Sequence, residues 1–245
     1  MKDLHLVMPM GGKGERFFKD GFELPKPLIE INGRPFFYWS AMSVLKYLPD
    51  CDVSFVVLAE HIEKFGIDKK ILSYFPSARI VVLESVLLGA VLTCMRGVEG
   101  IGPDKPVIFN DCDHMFKCSG LYELNEEEDP VHDGFLLTFR SDSPKYSYAE
   151  TDDEGFVIRT VEKEVISDQA ICGAYYFRNK DIFLDNAAQY LEKCSYSEFF
   201  MSGVYNCMAD NGLHSGILMT DYHVSFGTPE EYYDAQNRKE FSDLL

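Results

Sequence analysis

A short apolar run over residues 4–8 breaks into Met10-Gly11-Gly12-Lys13-Gly14-Glu15-Arg16, and after a polar loop comes Leu24-Pro25-Lys26-Pro27-Leu28-Ile29. Glycine lets a backbone approach a ligand closely and adopts positive φ without strain. Successive free N–H groups in such a turn form a concavity that attracts anions. Lys13, Arg16 and Lys26 add full positive charges. The chemistry this composition supports is the holding of crowded phosphates, so the stretch predicts a nucleoside triphosphate site at the start of the fold. These cations stand out in a chain of 245 residues with net charge -17. Such an acidic balance argues against nucleic acid or an anionic membrane as partner, because either calls for a basic face.

Two familiar phosphate motifs are excluded. A P-loop ends in Gly-Lys-Ser/Thr, whereas Gly14 follows Lys13. A GxGxxG fingerprint opening at Gly12 would need glycine where Phe17 stands. The ordered set that remains is GGxGxR, then PKPLI, then Gly33-x-Pro35. It resembles the signature of nucleotidyltransferases with a GT-A-like Rossmann fold. That group takes in the sugar-1-phosphate nucleotidylyltransferases and the phosphocholine-type cytidylyltransferases.

The resemblance runs along most of the chain. Residues 84–93 look like the family's base-reading segment, which implies nucleotide contacts from Glu84 and Gly89, with Gly89 letting the backbone approach the base. Asp111-Cys112-Asp113-His114-Met115-Phe116 resembles the strand-end Gly-Asp motif, with Cys112 in place of glycine. The trailing apolar pair aligns Asp113 with the metal-binding aspartate. Val161-Glu162-Lys163 resembles the acceptor-binding Glu-Lys pair. Gly173-Ala174-Tyr175-Tyr176-Phe177 resembles the strand after it, with Gly173 at the acceptor, and Phe226-Gly227-Thr228-Pro229-Glu230 resembles the closing Gly-Thr-Pro-Glu segment. One position departs from the pattern. Many relatives carry a second metal-binding aspartate where Ser225 stands. Asp111 and Asp221 are the candidates to replace it, Asp111 first because it neighbours Asp113. Residues two apart share a face only if the strand continues through them.

The implied reaction joins a nucleoside triphosphate, with CTP, dTTP or UTP as donors, to a phosphorylated small molecule and releases pyrophosphate. A phosphate oxygen is already an anionic nucleophile, so the task is charge neutralisation and in-line positioning rather than base catalysis. By the resemblance, the amides of residues 10–14 (Met10, Gly11, Gly12, Lys13, Gly14) hold the β- and γ-phosphates and Arg16 meets the leaving pyrophosphate. Lys26 sits between the α-phosphate and the incoming phosphate. Mg2+ on Asp113 and Asp111 bridges phosphate oxygens. Lys163 takes the acceptor phosphate and Glu162 an acceptor hydroxyl or amine. The loop over 18–24, with Gly21, is a candidate lid.

A sugar 1-phosphate is the first acceptor expected, which implies nucleotide-sugar biosynthesis for a capsule or other cell-surface polysaccharide. Phosphocholine or a phosphorylated amino acid is the alternative within the class. A nucleotide-binding regulatory relative that has lost catalysis is a reading from another class, supported by Ser225. A glycosyltransferase of GT-A type suits the triphosphate motifs less well. Association into a homo-oligomer stays open. Tyr146-Ser147-Tyr148, Glu198 and Tyr205-Asn206 are further candidates along the acceptor pocket. His114 and Trp39 read as structural.

The elements that must position these residues predict an α/β fold. It is Rossmann-like, a three-layer α/β/α arrangement with a mostly parallel central sheet and a small antiparallel insertion over about 134–177. Strands are expected over 4–8, 53–58, 80–83, 107–110, 134–138, 157–159, 174–177 and 215–218. Helices are expected over 35–47, 69–74, 88–97, 182–191, 199–210 and 230–241. Alternating strand and helix in the first half implies right-handed parallel crossovers. Residues 1–245 read as one domain, with a nucleotide-binding part over about 1–120, an acceptor-binding part over about 121–229 and a C-terminal helix over 230–245. The 7 cysteines are scattered without metal-type spacing, which predicts reduced thiols. No signal-peptide pattern or run of roughly 20 apolar residues is found, so a cytoplasmic protein is expected. The acidic run at 126–129 reads as a solvated turn.

Overall fold

A computed structural model describes residues 4–126 and 131–244. The acidic residues 127–129 lie outside the described residues, as do the chain ends of the expected span 1–245. The first half alternates strand and helix: β1 (His5–Met10), α1 (Glu15–Lys19), the small hairpin β2 (Glu30–Ile31) and β3 (Arg34–Pro35), α2 (Phe36–Leu45), β4 (Asp52–Leu58), α3 (Ala59–Phe65), α4 (Ile67–Tyr74), β5 (Arg79–Leu83), α5 (Ala90–Gly97) and β6 (Val107–Asn110). Next come β7 (His114–Lys117), α6 (Glu123–Glu126), β8 (Gly134–Arg140), β9 (Ser147–Thr151), β10 (Val157–Glu162) and β11 (Gln169–Phe177). The chain closes with α7 (Lys180–Lys193), α8 (Ser202–Asp210), β12 (Ser215–Met219), β13 (Tyr222–Ser225) and α9 (Pro229–Ala235).

The main sheet runs β10-β9-β11-β6-β1-β4-β5, with β8 paired to β11 and β12 paired to β8. Strands β6, β1, β4 and β5 are mutually parallel, and β11 joins them antiparallel along β6. Side chains of β1 show why helices cover both faces. Successive strand residues point to opposite faces. Leu6, Met8 and Met10 join Phe37, Ala41 and Val44 of α2 in one core, while Val7 joins Val91 and Cys94 of α5 in the other. A strand with both faces covered reads as a continuous apolar run, as β1 and β4 do.

A third core ties the two ends of the chain together. Phe17 of α1, Phe36 of α2 and Phe226 after β13 pack with Trp39 and Phe241, the Phe36 and Phe226 rings 4.6 Å apart. Trp39 is fully buried and its indole donates to the Ile31 carbonyl at 2.8 Å, a structural role. Several features differ from expectation. Strands β2, β3, β7, β9 and β13 and helices α1, α3 and α6 were not anticipated, because each is short and about half polar. The expected helix over 230–245 is two pieces, α9 and a 3-10 segment at Lys239–Leu244. No helix among the described residues is long and apolar enough to cross a membrane.

Candidate active site

In an open α/β sheet, ligands settle beyond the carboxyl ends of the strands where the strand order reverses. Here β1 has β4 on one side and β6 on the other, so the loops after Met10 and Asn110 open a crevice between them. The turn 111–113 is held from below. Asn110 donates through its side chain to the Ser40 carbonyl at 2.8 Å. Phe116 N–H donates to Ser43 Oγ at 3.0 Å. Asp111 N–H donates to the Gly173 carbonyl at 2.9 Å. Gly173 sits at a bulge in β11 with φ +92. A Cβ there would fall 2.8 Å from Asp111 Oδ2, so only glycine allows this approach.

Two cavities meet at this turn. One, of about 320 Å³, is lined by Met10, Gly11, Gly12, Gly14, Lys26, Gly89 and Asp111. Lys13 and Arg16 face an outer mouth shared with Gly14, Lys26 and Asp113. Glu84 is exposed after β5 and does not line the inner cavity. The second cavity, of about 470 Å³, is lined by Arg16, Asp111, Asp113, Glu162, Lys163 and Gly173. The structure therefore brings the glycine-turn residues 10–14, Arg16, Lys26, Gly89, Asp111, Asp113, Glu162, Lys163 and Gly173 to one crevice, and Asp111 borders both cavities.

Lys26 Nζ donates to Asp113 Oδ2 at 2.7 Å. Burial opposes the lysine charge, but Asp113 outweighs it and keeps the ammonium protonated well above its usual range. Burial also works against the Asp113 carboxylate, yet the Lys26 ammonium, by its charge and its hydrogen bond, holds it below the usual carboxylate range. Asp111 goes the other way. Burial, then the Asp113 charge, pushes its carboxyl up to about 7. Two carboxylates with too little positive charge nearby are a fitting place for a hard divalent cation. Among the described residues no group of three or more His, Cys, Asp or Glu is arranged to hold a metal.

The Glu162–Lys163 pair is firmly held. Glu162 Oε1 accepts from Ser147 Oγ at 2.6 Å and from the Ser202 hydroxyl. Lys163 adopts a left-handed φ of 57 and its N–H donates to the Tyr146 carbonyl at 3.0 Å. Such a conformation in a non-glycine residue is uncommon and clusters at functional sites.

Several expectations are corrected. Asp221 is not near the aspartates; it accepts from Ser119 N–H at 3.0 Å and from the Ser119 hydroxyl, closing a surface turn. Glu198 lines the first cavity rather than the second. The Tyr205 hydroxyl is buried against the carbonyls of Phe135 and Tyr176, and Asn206 bonds to Thr160, so both are structural. Tyr148 is likewise buried. Phe22, in the candidate lid, packs edge-on to Phe17 and Tyr232. His114 is buried but borders the second cavity, 3.2 Å from His223 through Nδ1 and Nε2. Burial pushes the His114 ring down to about 4, so it is neutral.

One acidic residue at the site was not anticipated. Glu231 Oε2 accepts from Ser225 Oγ at 2.7 Å and from Gly227 N–H at 3.1 Å, and the other oxygen pairs with Lys145. A Cβ built on Gly227 would lie 2.6 Å from Asp113 Oδ2 and 3.5 Å from Glu231 Oε2. Ser225 thus carries, through its hydroxyl, a carboxylate from the next helix. The signal was legible: Thr228-x-x-Glu231 is a capping-box pattern, and Thr228 does accept from Glu231 N–H at 3.3 Å.

The fold and crevice are those of the α/β class that takes ligands at strand carboxyl ends. The chain belongs to the Nucleotidyl transferase family, whose model matches residues 6–241. It is 26% identical over 231 residues to the D-glycero-alpha-D-manno-heptose 1-phosphate guanylyltransferase of Campylobacter jejuni, covering 94% of this chain and 97% of that protein. Its fold is similar to that of a nucleoside-diphosphate-sugar pyrophosphorylase from Vibrio cholerae, with TM-score 0.80, 24% identity and coverage of 95% and 100% of the two chains. It is also similar to the inositol-1-phosphate CTP transferase from T. maritima, with TM-score 0.75, 15% identity and coverage of 99% and 94%.

Proposed function

We propose that this protein is an Mg2+-dependent nucleotidyltransferase that joins a nucleoside triphosphate to a phosphorylated metabolite, a sugar 1-phosphate first, and releases pyrophosphate. The observation that carries the reading is the Lys26–Asp113 pair, 2.7 Å apart between a glycine-lined cavity and a cavity bordered by Lys163 and Glu162. An acceptor phosphate oxygen attacks the α-phosphorus, and the bond from that phosphorus to the β-phosphate oxygen breaks. Lys26 stands where the negative charge of donor and acceptor converges and screens it. Residues 10–14 present backbone N–H groups to the β- and γ-phosphates, and Arg16, at the outer mouth, follows the leaving pyrophosphate. Lys163 holds the acceptor phosphate in line and Glu162 its neighbouring hydroxyl or amine. Asp113 and Asp111 would hold Mg2+, which when bound supplies charge neutralisation and orientation of phosphate oxygens.

The name of the Campylobacter jejuni relative supports a sugar 1-phosphate acceptor. It also adds GTP to the donors CTP, dTTP and UTP. The scattered cysteines, none disulfide-bonded, suit a cytoplasmic enzyme that makes precursors of cell-surface polysaccharide. A phosphorylated amine such as phosphocholine is the second reading. It is favoured by the rings of Tyr146, Tyr175 and Phe200 in the same cavity as Glu162, a setting that attracts an organic cation. The test is pyrophosphate release with Mg2+, crossing the four triphosphates with sugar 1-phosphates and phosphorylated amines. Release with a sugar 1-phosphate supports the first reading, release with amines alone supports the second, and no release with any pair rejects both.

A further inference from the structure

Helices α7 and α8 are joined by a stretch without regular structure, residues 194–201, that runs between the two cavities. Consecutive residues at its end serve different parts of the site. Glu198 lines the glycine-rich cavity. Phe199 lies against Gly89: a Cβ on Gly89, whose φ is +99, would fall 2.4 Å from Phe199 N and 2.6 Å from its carbonyl oxygen. That carbonyl accepts from Val91 N–H at 3.1 Å, in the first turn of α5. The glycine at position 89 is therefore required by the crossing segment, whatever the nucleobase demands. On the other side, the Phe200 ring lies 5.6 Å from Lys163 Nζ, within range of a cation–π contact. Ser202 donates its hydroxyl to Glu162, and its carbonyl accepts from Thr160 Oγ1 at 2.8 Å.

We infer that residues 198–202 act as a positioning strap, in which Phe199 registers the segment on the Gly89 loop while Phe200 and Ser202 set Lys163 and Glu162. The inference rests on the proposed roles of the two cavities. Occupancy of one cavity then changes the other through the strap. By thermodynamic reciprocity each substrate changes the affinity for its partner by the same factor. Lys163, held in a left-handed conformation, is a fitting target because small shifts of its support move its ammonium.

Two measurements on the full chain test this. The first is amide hydrogen exchange without ligand. Gly89→Ala, on the nucleotide side, is expected to speed exchange at Lys163, whose N–H bonds to Tyr146. Phe200→Leu, on the acceptor side, is expected to speed exchange at Val91, whose N–H bonds to Phe199. Each change should reach about fivefold, the lower end of coupling between sites. If Gly89→Ala does not fold, Thr93→Val replaces it, since Thr93 Oγ1 donates to the Gly89 carbonyl at 3.4 Å. Changes confined to the mutated side overturn the strap. The second measurement is steady-state kinetics with a pair that releases pyrophosphate. Phe200→Leu should raise the acceptor KM about fivefold with kcat held within about twofold, and Phe200→Tyr, which keeps the ring, should restore it. An unchanged acceptor KM overturns the strap. Absence of pyrophosphate with every pair instead rejects the functional reading and leaves the exchange result to decide the strap.

Discussion

Lys26 and Asp113 are separated by 87 positions in sequence, yet the ammonium donates to the carboxylate at 2.7 Å. Each is about a quarter exposed, open to the two cavities they divide. Lys26→Ala and Asp113→Ala are each expected to lower kcat/KM by about 10²–10³-fold, the cost of removing one preorganised charge from a phosphoryl-type transition state. Lys26→Arg should recover little, because a planar guanidinium does not replace a point charge. Pyrophosphate release measures the loss, and circular dichroism checks that the fold persists. Near-normal turnover in either alanine variant would remove the role assigned to the pair.

Asp111 gives the protein a pH signature. Its carboxyl, at about 7, lies above the ordinary 3.8. The folded state therefore binds more protons than the unfolded state between about pH 4 and pH 7, and this group's effect lowers stability as pH rises through that window. Asp111→Asn is expected to raise stability at pH 8 by about 1–2 kcal/mol in chelator-treated buffer, or about 3–6 °C in Tm. The gain should vanish near pH 4. Thermal melts across that range check it, and a pH-independent gain would contradict the burial argument.

Gly227 leaves room for Asp113. An added Cβ would lie 2.6 Å from Oδ2, the far end of a flexible side chain, so the carboxylate rather than the backbone would yield. Gly227→Ala should cost less than about 1 kcal/mol of stability while lowering activity at least tenfold. Calorimetry and kinetics on the same preparation separate these effects.

Glu231 ties α9 to the strand that ends at Ser225. Glu231→Ala removes the acceptor for the Ser225 hydroxyl and the Gly227 N–H and leaves Lys145 without its partner. The expected loss is about 1–3 kcal/mol, typical of hydrogen bonds to a charged group. Glu231→Gln should recover part of it, since an amide oxygen can still accept. Equal melts for both variants and the wild type would show the contacts to be inert.

The segments that were read correctly share one property. Their meaning lies in a few adjacent residues. The apolar runs of β1, β4 and β6 are local patterns, and each strand stands close to its expected place. Strands β7 and β13 were missed because the partner of each lies about a hundred residues away; His114 sits opposite Ser225, and neither segment alternates strongly enough to announce itself. Glu84 does not line either cavity, whereas Gly89, five residues further on, does so where Phe199 crosses it, a contact that sequence proximity does not reveal.

The sequence by itself determined the family of the chain and the glycine-rich, cationic character of the amino-terminal turn. Glycine conformations and lysine charge act where they stand, whatever the rest of the molecule does. Tertiary structure alone decided that Asp221 closes a distant turn and that Glu198 faces the first cavity. Those outcomes depend on packing between segments far apart in the chain. A carboxylate carries the same charge wherever it lies, and only the fold decides what it faces.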